Sequence, residues 1–582
     1  MKTQIKYPVL ILFMVILFSC KGDEPKVELD NTLDIAISSE PNMISPYLNP
    51  TSAAREVYQY IFVAMADFDP VSYELTPILI KSIPEEETIK DGPYAGGTKY
   101  SIEFKEEAKW DDGSPITGED LLFSIKAIMH PGTNTPNYSS YLEKVSDVIV
   151  DPANNRKVDV IFKDYYILAK ELIVTLQVYP KYAYDSKKAL DEVLLKDLSG
   201  PNGDEIVKSN PKLSEFANAF NSVKFSRENA FNAGPYKLKE WVANQIIILE
   251  KKENYWAAGS NIPALQAYPE RIVFHIIPDE NSSITQLKEG NIDLITNKNI
   301  SANSFFELKT NEIYADKFQF LTEDLMKFYY LAINNSKPEL SNPNIRRALA
   351  KLNDVPKLIE ILENGLGSQT VGIFNQKKPY YNPDLKPIEL DIEGAKEIFK
   401  DEGWSDSNND GSVDKEINGN RIEMDLDIYV TGSELSKNIA LLLQENAKKA
   451  GVKINIITKG FADIKRDNLK TRDYDLIPLS LTQSMVLDDP YSKWHSENDD
   501  PSKANDVSYQ SEKADDLIIK IRSARDDESR NKYYKDLQKV MYDDQPVIFL
   551  YNPTEKMVLS NRWEGRSTMK RPGYQGNTFK AK

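Results

Sequence analysis

The chain has 582 residues, of which 41% are hydrophobic and 28% charged, and its formal net charge at pH 7 is −17. A chain of this length exceeds what one hydrophobic core supports, so we expect two or three domains. The acidic balance argues against a nucleic-acid partner, because binding to a phosphate backbone relies on cationic side chains. With a single cysteine, a disulfide within the chain is excluded.

The N-terminal segment predicts export. A short basic start precedes an uncharged run over residues 9–18, which has the length of a signal-peptide core and is too short to span a membrane. The residues LFSC that end at Cys20 resemble a bacterial lipobox, in which the cysteine receives a lipid. We therefore predict a signal peptide over 1–19, then a lipidated Cys20 and a charged tether over 20–29. This places the protein in the cell envelope, on the periplasmic side or the outer surface of a bacterial membrane; the alternative is a soluble secreted protein.

The first elements of the mature chain are strands and a capped helix. Residues 32–37 and 99–104 are strand-like, and the second run alternates with period two, as a half-buried strand does. Thr117 is a residue type that caps helix N-termini, and the acidic residues after it, including Asp120, suit the positive end of a helix. We predict a helix from Thr117 to the Pro-Gly pair at 131–132.

The rest of the chain alternates helices and strands. An amphipathic helix over 435–450 is stopped by Gly451 and followed by a β-branched run, an order typical of a sheet covered by helices. Further strands are predicted at 245–250, 271–277, 452–457 and 547–551, and further helices at 344–354, 394–401, 514–524 and 532–542. The predicted fold class is therefore α/β.

One segment carries a family resemblance. Residues 110–124 read WDDGSPITGEDLLFS, which looks like the signature of the family 5 extracellular solute-binding proteins. That family includes the oligopeptide- and dipeptide-binding proteins of bacterial importers. Five further blocks resemble the family in its order, at residues 39–46, 233–256, 287–293, 344–349 and 474–490. Together the six blocks extend the resemblance over residues 32–565.

The resemblance implies an α/β fold of two lobes, the type II periplasmic-binding-protein-like fold with a small inserted domain. The predicted segments are 30–66, 173–295 and 547–582 for a discontinuous lobe I, 67–172 for the inserted domain, and 296–546 for lobe II. The two crossings between the lobes, near 296 and 546, would form a hinge on which the lobes close around a ligand.

The resemblance also predicts where a ligand lies. It would bind between the lobes, and in peptide-binding relatives the walls bond to the ligand backbone as strands do, which gives affinity without reading side chains. The candidate residues are Asn49, Pro50, Thr51 and Ser52 on one wall and Leu481, Thr482, Gln483, Ser484 and Asp488 on the other. The predicted partners are a peptide or similar polar ligand and the permease subunits of an ABC-type importer, and we expect a monomer.

The sequence departs from the family where a peptide amino terminus is anchored. Peptide-binding members carry a Trp and an Asp before the Asp-Pro pair that corresponds to Asp489 and Pro490. Counted back from Pro490, those two positions hold Gln483 and Val486. Counted forward from Asp475, they hold Leu481 and Ser484. A buried ammonium without a partner is costly. Either Asp488 or Asp489 therefore anchors an amine, or the ligand has no free amino terminus, as in a capped peptide, an oligosaccharide or another polar molecule.

One acidic loop resembles a calcium site. Asp406, Asn408 and Asp410 supply oxygen atoms at the first, third and fifth positions of the EF-hand pattern, a glycine follows, and Asp414 supplies the ninth. Ile417 occupies the position where a bidentate glutamate belongs. The pattern favours a solvated acidic turn over a weak structural calcium site, and we predict no other cofactor.

No catalytic motif is evident. The histidines His130, His275 and His495 have no neighbour at zinc-ligand spacing. No Gly-x-Ser-x-Gly elbow or phosphate-binding Gly-rich loop occurs. We therefore do not expect an enzyme. A binding protein coupled to import and a sensor, scavenger or adhesin of the same fold stay as alternatives, because a fold does not separate them.

Overall fold

The computed structural model describes residues 31–582 apart from Asn229 and Val486, with the backbone alone for Pro136, Asn137 and Ser140. The predicted signal peptide, Cys20 and the tether lie outside the described residues. Within the described part of the chain, no helix is long and apolar enough to cross a membrane.

The described residues form strands and helices in mixed order. The elements up to residue 174 are β1 (Thr32–Ile37), α1 (Ser52–Tyr58), β2 (Ala66–Phe68), β3 (Leu75–Pro77), β4 (Glu86–Thr88), β5 (Thr98–Glu103), α2 (Gly118–Met129), α3 (Pro136–Leu142), β6 (Val145–Val150), β7 (Lys157–Phe162) and α4 (Ala169–Val174). Those up to residue 296 are α5 (Lys181–Tyr184), α6 (Leu195–Ser199), α7 (Gly203–Ser209), α8 (Pro211–Phe220), β8 (Tyr236–Val242), β9 (Ile246–Lys251), β10 (Arg271–Ile276), α9 (Glu280–Glu289) and β11 (Leu294–Thr296).

The second half continues the alternation. Its elements up to residue 458 are α10 (Ala302–Thr310), α11 (Glu312–Ala315), β12 (Phe318–Asp324), β13 (Lys327–Ile333), α12 (Pro343–Ala350), α13 (Val355–Glu363), β14 (Gly367–Gln369), α14 (Ile392–Asp401), β15 (Asp414–Ile417), β16 (Asn420–Glu423), β17 (Asp425–Val430), α15 (Glu434–Lys449) and β18 (Lys453–Thr458). The remaining elements are α16 (Phe461–Asp463), β19 (Leu476–Thr482), α17 (Tyr491–Trp494), α18 (Glu512–Ser523), α19 (Asp527–Asp544), β20 (Val547–Phe549), β21 (Tyr551–Ser560), β22 (Trp563–Glu564) and β23 (Lys580–Ala581).

The largest sheet has eight strands in the order β12-β21-β11-β1-β10-β9-β8, with β14 beside β21. Its central strand β1 pairs in parallel with β10 and β11, and the ladders towards both ends of the sheet are antiparallel. All residues of β1 except Asp34 are buried. A strand covered on both faces needs such a near-continuous apolar run, so the sequence of β1 explains its central place.

The second large sheet has five strands in the order β18-β17-β19-β13-β20. β17 and β18 are parallel and are joined by α15, which buries Ile439, Leu443 and Ala447. Gly451 follows this helix with a φ of +76°, a conformation that suits glycine. The predicted order of helix, glycine and strand over 435–457 is confirmed.

A smaller four-stranded sheet, β4-β5-β7-β6, carries α2 against β6. The Thr117 backbone N–H and hydroxyl both donate to the Asp120 carboxylate, at 3.0 and 3.2 Å, and these two residues form a capping box at the start of α2. The helix ends at Met129, and His130 separates it from the Pro-Gly pair at 131–132. The predicted capped helix within the signature segment is therefore confirmed.

Two strands lie in a different sheet from the one that the predicted lobe boundaries give them. β12, predicted in lobe II, pairs with β21 in the eight-stranded sheet, and β20, predicted in lobe I, pairs with β13 in the five-stranded sheet. The predicted strand over 547–551 is therefore two strands separated at Leu550. The chain passes between the two large sheets at the β12–β13 turn and again at Leu550, whereas the predicted lobe boundaries lie near 296 and 546. The division into domains stays a prediction.

Candidate ligand-binding site

A cavity of about 550 Å³ lies between the end of β19 and the part of the chain predicted as the inserted domain. Most of residues 481–494 line one side. The other lining residues are Tyr141, Glu143, Lys144, Tyr166, Leu168, Ile373, Phe374 and Arg522. The cavity combines aromatic and aliphatic surface with side chains of both charges, so it can hold a ligand that is partly apolar and partly polar.

The wall after β19 contains every predicted residue of the second wall: Leu481, Thr482, Gln483, Ser484 and Asp488. The Gln483 backbone N–H donates to the Met326 carbonyl oxygen at 2.8 Å, and its side-chain amide donates to the Ile373 carbonyl oxygen at 2.7 Å. The backbone bond extends the β13–β19 ladder, and the side-chain bond ties the start of the wall to the segment around Ile373. That these residues bind a ligand stays a prediction.

The Asp488 carboxylate is held by groups of the chain itself. The Tyr380 hydroxyl donates to it at 2.8 Å, and the Lys378 ammonium lies 3.6 Å away while donating to the Ser484 carbonyl oxygen at 2.7 Å. Burial raises the pKa of Asp488 and lowers the pKa of Lys378, because both charged forms lose hydration. The Tyr534 hydroxyl donates to the Asp488 carbonyl oxygen. A ligand amine would have to compete with Lys378 for this carboxylate.

Asp489 is also paired. Arg522 Nε lies 3.2 Å from its carboxylate, and the Tyr491 backbone N–H donates to it at 3.1 Å. The Arg522 guanidinium lies over the Tyr491 ring, 4.2 Å from the ring centroid. Burial raises the pKa of Asp489. Both aspartates proposed as amine anchors therefore already have a cationic partner within the protein.

The facing wall was missed by the sequence analysis. It consists of Tyr141 near the end of α3, Glu143 and Lys144 between α3 and β6, and Tyr166 and Leu168 after β7. These residues belong to no motif. They reach the cavity because the four-stranded sheet packs against the turn between α18 and α19, a contact that only long-range packing determines. The adjacent tyrosines at 165–166 were the one available signal, and aromatic residues are too common in cores to mark a site.

The predicted first wall does not meet the second at this cavity, because none of Asn49, Pro50, Thr51 and Ser52 lines it. The Thr51 side chain instead accepts from the Ala54 N–H at 3.2 Å and caps α1. Asn42 accepts from the Thr51 N–H at 3.0 Å and donates to the Asn49 carbonyl oxygen at 3.2 Å. This segment is a turn that starts a helix.

A second cavity, of about 240 Å³, adjoins the first and shares Leu487 with it. Met569 and Tyr73 line it from the segments predicted as lobe I and the inserted domain, and Met326 and Met485 line it from the segment predicted as lobe II. Methionine side chains are flexible and adapt to apolar groups of different shape. The second cavity therefore suits a bulky apolar group of a ligand whose remainder lies in the first.

Direct contacts hold the two walls of the first cavity together. The Tyr165 hydroxyl donates to the Ala524 carbonyl oxygen at 2.9 Å, and Arg525 donates to the Glu86 carboxylate at 2.8 Å. The Arg525 guanidinium also lies 4.6 Å from the Tyr165 ring centroid. These contacts join the inserted sheet to the α18–α19 turn.

The loop that resembles a calcium site bonds mainly within itself. Asp414 accepts from the Ser407 N–H at 2.9 Å and pairs with Arg421 at 3.1 Å, and the Ser407 bonds hold the pKa of Asp414 below its usual range. Asp406 accepts from the backbone N–H groups of Asp410 and Gly411, each at 3.0 Å. Among the described residues no group of three or more His, Cys, Asp or Glu is placed to hold a metal ion. The candidate set Asp406, Asn408, Asp410 and Asp414 is therefore not assembled as a site.

The comparison with known families decides the classification. A family model described as "Bacterial extracellular solute-binding proteins, family 5 Middle" matches residues 75–503, which is most of the chain. The chain belongs to this family. The family resemblance predicted from the sequence is thereby confirmed, and membership of a solute-binding family agrees with the prediction that the protein is not an enzyme.

Relatives across the whole chain have the same fold. Oligopeptide-binding protein AppA of Bacillus subtilis is 23% identical over 573 residues, covering 96% of this chain and 94% of its own. The structure of AppA from Bacillus subtilis in complex with a nonapeptide matches with a TM-score of 0.70 and 20% identity, over 95% of this chain and 99% of that chain. NikZ from Campylobacter jejuni, in complex with Ni(L-His), matches with a TM-score of 0.70 and 20% identity, over 95% and 100%. The predicted two-lobed α/β fold is confirmed.

Proposed function

We propose that this family 5 protein captures a peptide, or a polar ligand of similar size, in the cavity between the end of β19 and the inserted domain. It then delivers the ligand to the permease of an ABC-type importer. The observation that carries the proposal is the cavity itself, since its lining includes all five residues predicted on the second wall and mixes apolar and charged groups.

The edge of β19 supports a peptide as the ligand. β13 pairs with β19 along its whole length up to Thr482, whereas β17 pairs with it only at Leu476 and ends at Val430. Among the described residues no strand covers the far half of β19 on the β17 side. An extended peptide can add there as a further strand, and this mode gives affinity through the main chain.

The methionine-lined cavity supports the same proposal. A ligand that pairs along the end of β19 passes Leu487, which lines both cavities, and can place one apolar side chain among Met326, Met485 and Met569. The name of AppA, an oligopeptide-binding protein, agrees with a peptide. The Ni(L-His) complex of NikZ marks a different ligand class for a protein of the same fold.

For the cell, we propose an envelope protein held by a lipid on Cys20 after removal of residues 1–19. The motif that ends at Cys20 supports the anchor, and the uncharged run over 9–18 supports the export signal. We propose that the mature protein acts as a monomer. A sensor or scavenger that is not coupled to import is the alternative, and permease and ATPase genes beside this gene would favour import.

Native mass spectrometry of the mature protein without Cys20, followed by denaturing release of bound molecules, tests the proposed ligand class. We expect a ladder of peptide masses, because a closed cavity retains ligand from the cells in which the protein is made. A single non-peptide mass would contradict the proposal that the ligand is a peptide. So would an empty protein whose melting temperature is unchanged by a peptide library.

A further inference from the structure

The charges that line the first cavity can be assigned to partners one by one. Six charged side chains face it, and they are Glu143, Lys144, Asp488, Asp489, Lys493 and Arg522. A ligand's own charge will be recognised by whichever of these is not already neutralised, because a charge that enters the cavity loses hydration and needs a partner.

All three cations of the lining have a carboxylate partner. Lys144 lies 2.9 Å from Asp164 and Lys493 lies 2.6 Å from Asp506. Arg522 lies 3.2 Å from Asp489, which also accounts for one of the anions. Among the described lining residues, the cavity therefore offers a ligand carboxylate no cation that is without a partner.

Two of the three anions are accounted for as well. Asp489 pairs with Arg522, and Asp488 pairs with Lys378 at 3.6 Å and accepts from Tyr380 at 2.8 Å. Asp488 is also poorly hydrated, with 16% of its side chain exposed. A ligand ammonium would have to displace a buried lysine to reach it, which leaves one charge unpaired whichever cation wins.

Glu143 is the remaining anion. It follows α3 as the C-cap residue and is exposed, and its carboxylate has no hydrogen bond or ion pair with any described residue. It lines the cavity from the wall that faces residues 481–489. A hydrated carboxylate at the rim of a cavity can take an ammonium group without breaking a bond inside the protein.

We propose that Glu143 binds the ammonium group of the ligand, and that it replaces the anchoring aspartate missing from the wall after β19. The proposal rests on the proposed function as a peptide-binding protein and adds to it the ligand's free amine and the residue that recognises it. The peptide amino terminus would then lie at the inserted domain, with the chain running towards the end of β19.

The test compares a free amine with a blocked one. A library of short unmodified peptides and the same library N-acetylated are screened by thermal shift, and the tightest binder is titrated calorimetrically in both forms. Wild-type protein should bind the unmodified peptide about tenfold to a hundredfold more tightly, the range of a charge-assisted hydrogen bond. Glu143→Gln should lose that preference and bind both forms like the acetylated peptide.

Glu107→Gln is the matched control, since Glu107 is exposed, lies in the same predicted domain and does not line the cavity. It should keep the wild-type preference. Equal affinity of wild-type protein for both forms, or an unchanged preference in Glu143→Gln, overturns the role of Glu143 and leaves peptide binding standing. A wild-type protein that binds neither library overturns both proposals.

Discussion

The signature segment at 110–124 contains a local helix cap, whereas Asp488 in the cavity wall at 481–494 bonds to partners distant in the sequence. In the signature, Thr117 and Asp120 bond to each other across three residues. In the wall, the partners of Asp488 include Tyr380 and Tyr534, which lie 108 and 46 residues away. Local contacts can be predicted from a sequence pattern, whereas partners that only the fold brings together cannot.

The two regions should also differ in what they contribute, the signature to stability and the wall to ligand binding. The signature forms a turn and a helix cap inside the predicted inserted domain, and none of its residues lines the first cavity. The wall lines that cavity over most of its length. Substitutions in the signature should therefore change the free energy of unfolding, and substitutions around the wall should change ligand affinity.

Asp120→Ala should give the largest loss of stability. The Asp120 carboxylate is buried and accepts from the Thr117 N–H and from the Lys181 N–H, each at 3.0 Å. Losing a helix cap and leaving a buried N–H unpaired should lower the free energy of unfolding by about 3–4 kcal/mol. Denaturant unfolding measures the loss, and calorimetry on the folded fraction should show unchanged peptide affinity.

Asp120→Asn is the matched control, because its side-chain oxygen can still accept one of the two bonds. It should recover part of the stability that Asp120→Ala loses. If Asp120→Ala instead lowered peptide affinity and left stability unchanged, the signature would act in binding and not in stability.

Glu555 lies on β21, the strand that begins after the chain passes from the five-stranded to the eight-stranded sheet. A substitution there should change how stability depends on pH. Glu555 is buried, lies 3.4 Å from Arg571 and accepts from the Asn297 N–H at 3.2 Å. Burial raises its pKa to about 7 from an ordinary value of 4.5, so the folded state holds this proton more tightly than the unfolded chain. Stability from this group should therefore fall by up to about 3 kcal/mol as pH rises from about 4.5 to about 7.

Glu555→Gln should remove that part of the pH dependence, measured as the free energy of unfolding at a series of pH values. Glu564→Gln, at an exposed glutamate nearby, should keep the wild-type slope. An identical slope in Glu555→Gln would show that this carboxyl does not titrate over the range.

Tyr380→Phe should have a smaller effect, and this effect should be a loss of peptide affinity. It removes the 2.8 Å bond to the Asp488 carboxylate and leaves the ring stacked on Tyr534, 4.0 Å between centroids. One lost bond to a carboxylate is worth about 1.5–3 kcal/mol, so the wall should loosen and peptide affinity should fall roughly tenfold. Tyr381→Phe, at the half-buried neighbour, is the control and should bind as wild type. Equal affinity in both variants would show that the bond between Tyr380 and Asp488 does not contribute to peptide binding.

Calcium should give the smallest effect. Because Asp414 is engaged by Ser407 and Arg421, and Asp406 by backbone N–H groups, the loop does not gather its carboxylates around a common point. A thermal melt with and without calcium should give the same melting temperature. A clear rise with calcium, lost in Asp410→Ala, would show that the loop rearranges to bind the ion.

The sequence was sufficient for the fold class, the capped helix at Thr117 and the helix-glycine-strand unit around Gly451, because periodicity and capping are local. It also located the wall after β19 through the family resemblance. It did not predict the pairing of Asp488 with Lys378, or the place of Glu143 on the facing wall, because both depend on how separate sheets pack. The sheet exchange of β12 and β20 was missed for the same reason.

A crystal structure of the mature protein with a bound peptide from the library tests the central claim most directly. We predict a peptide in the cavity of about 550 Å³, extended along the end of β19, with its ammonium group at Glu143. A peptide bound elsewhere would contradict the account, for example in the separate cavity of about 410 Å³ lined by Tyr268 and Glu564.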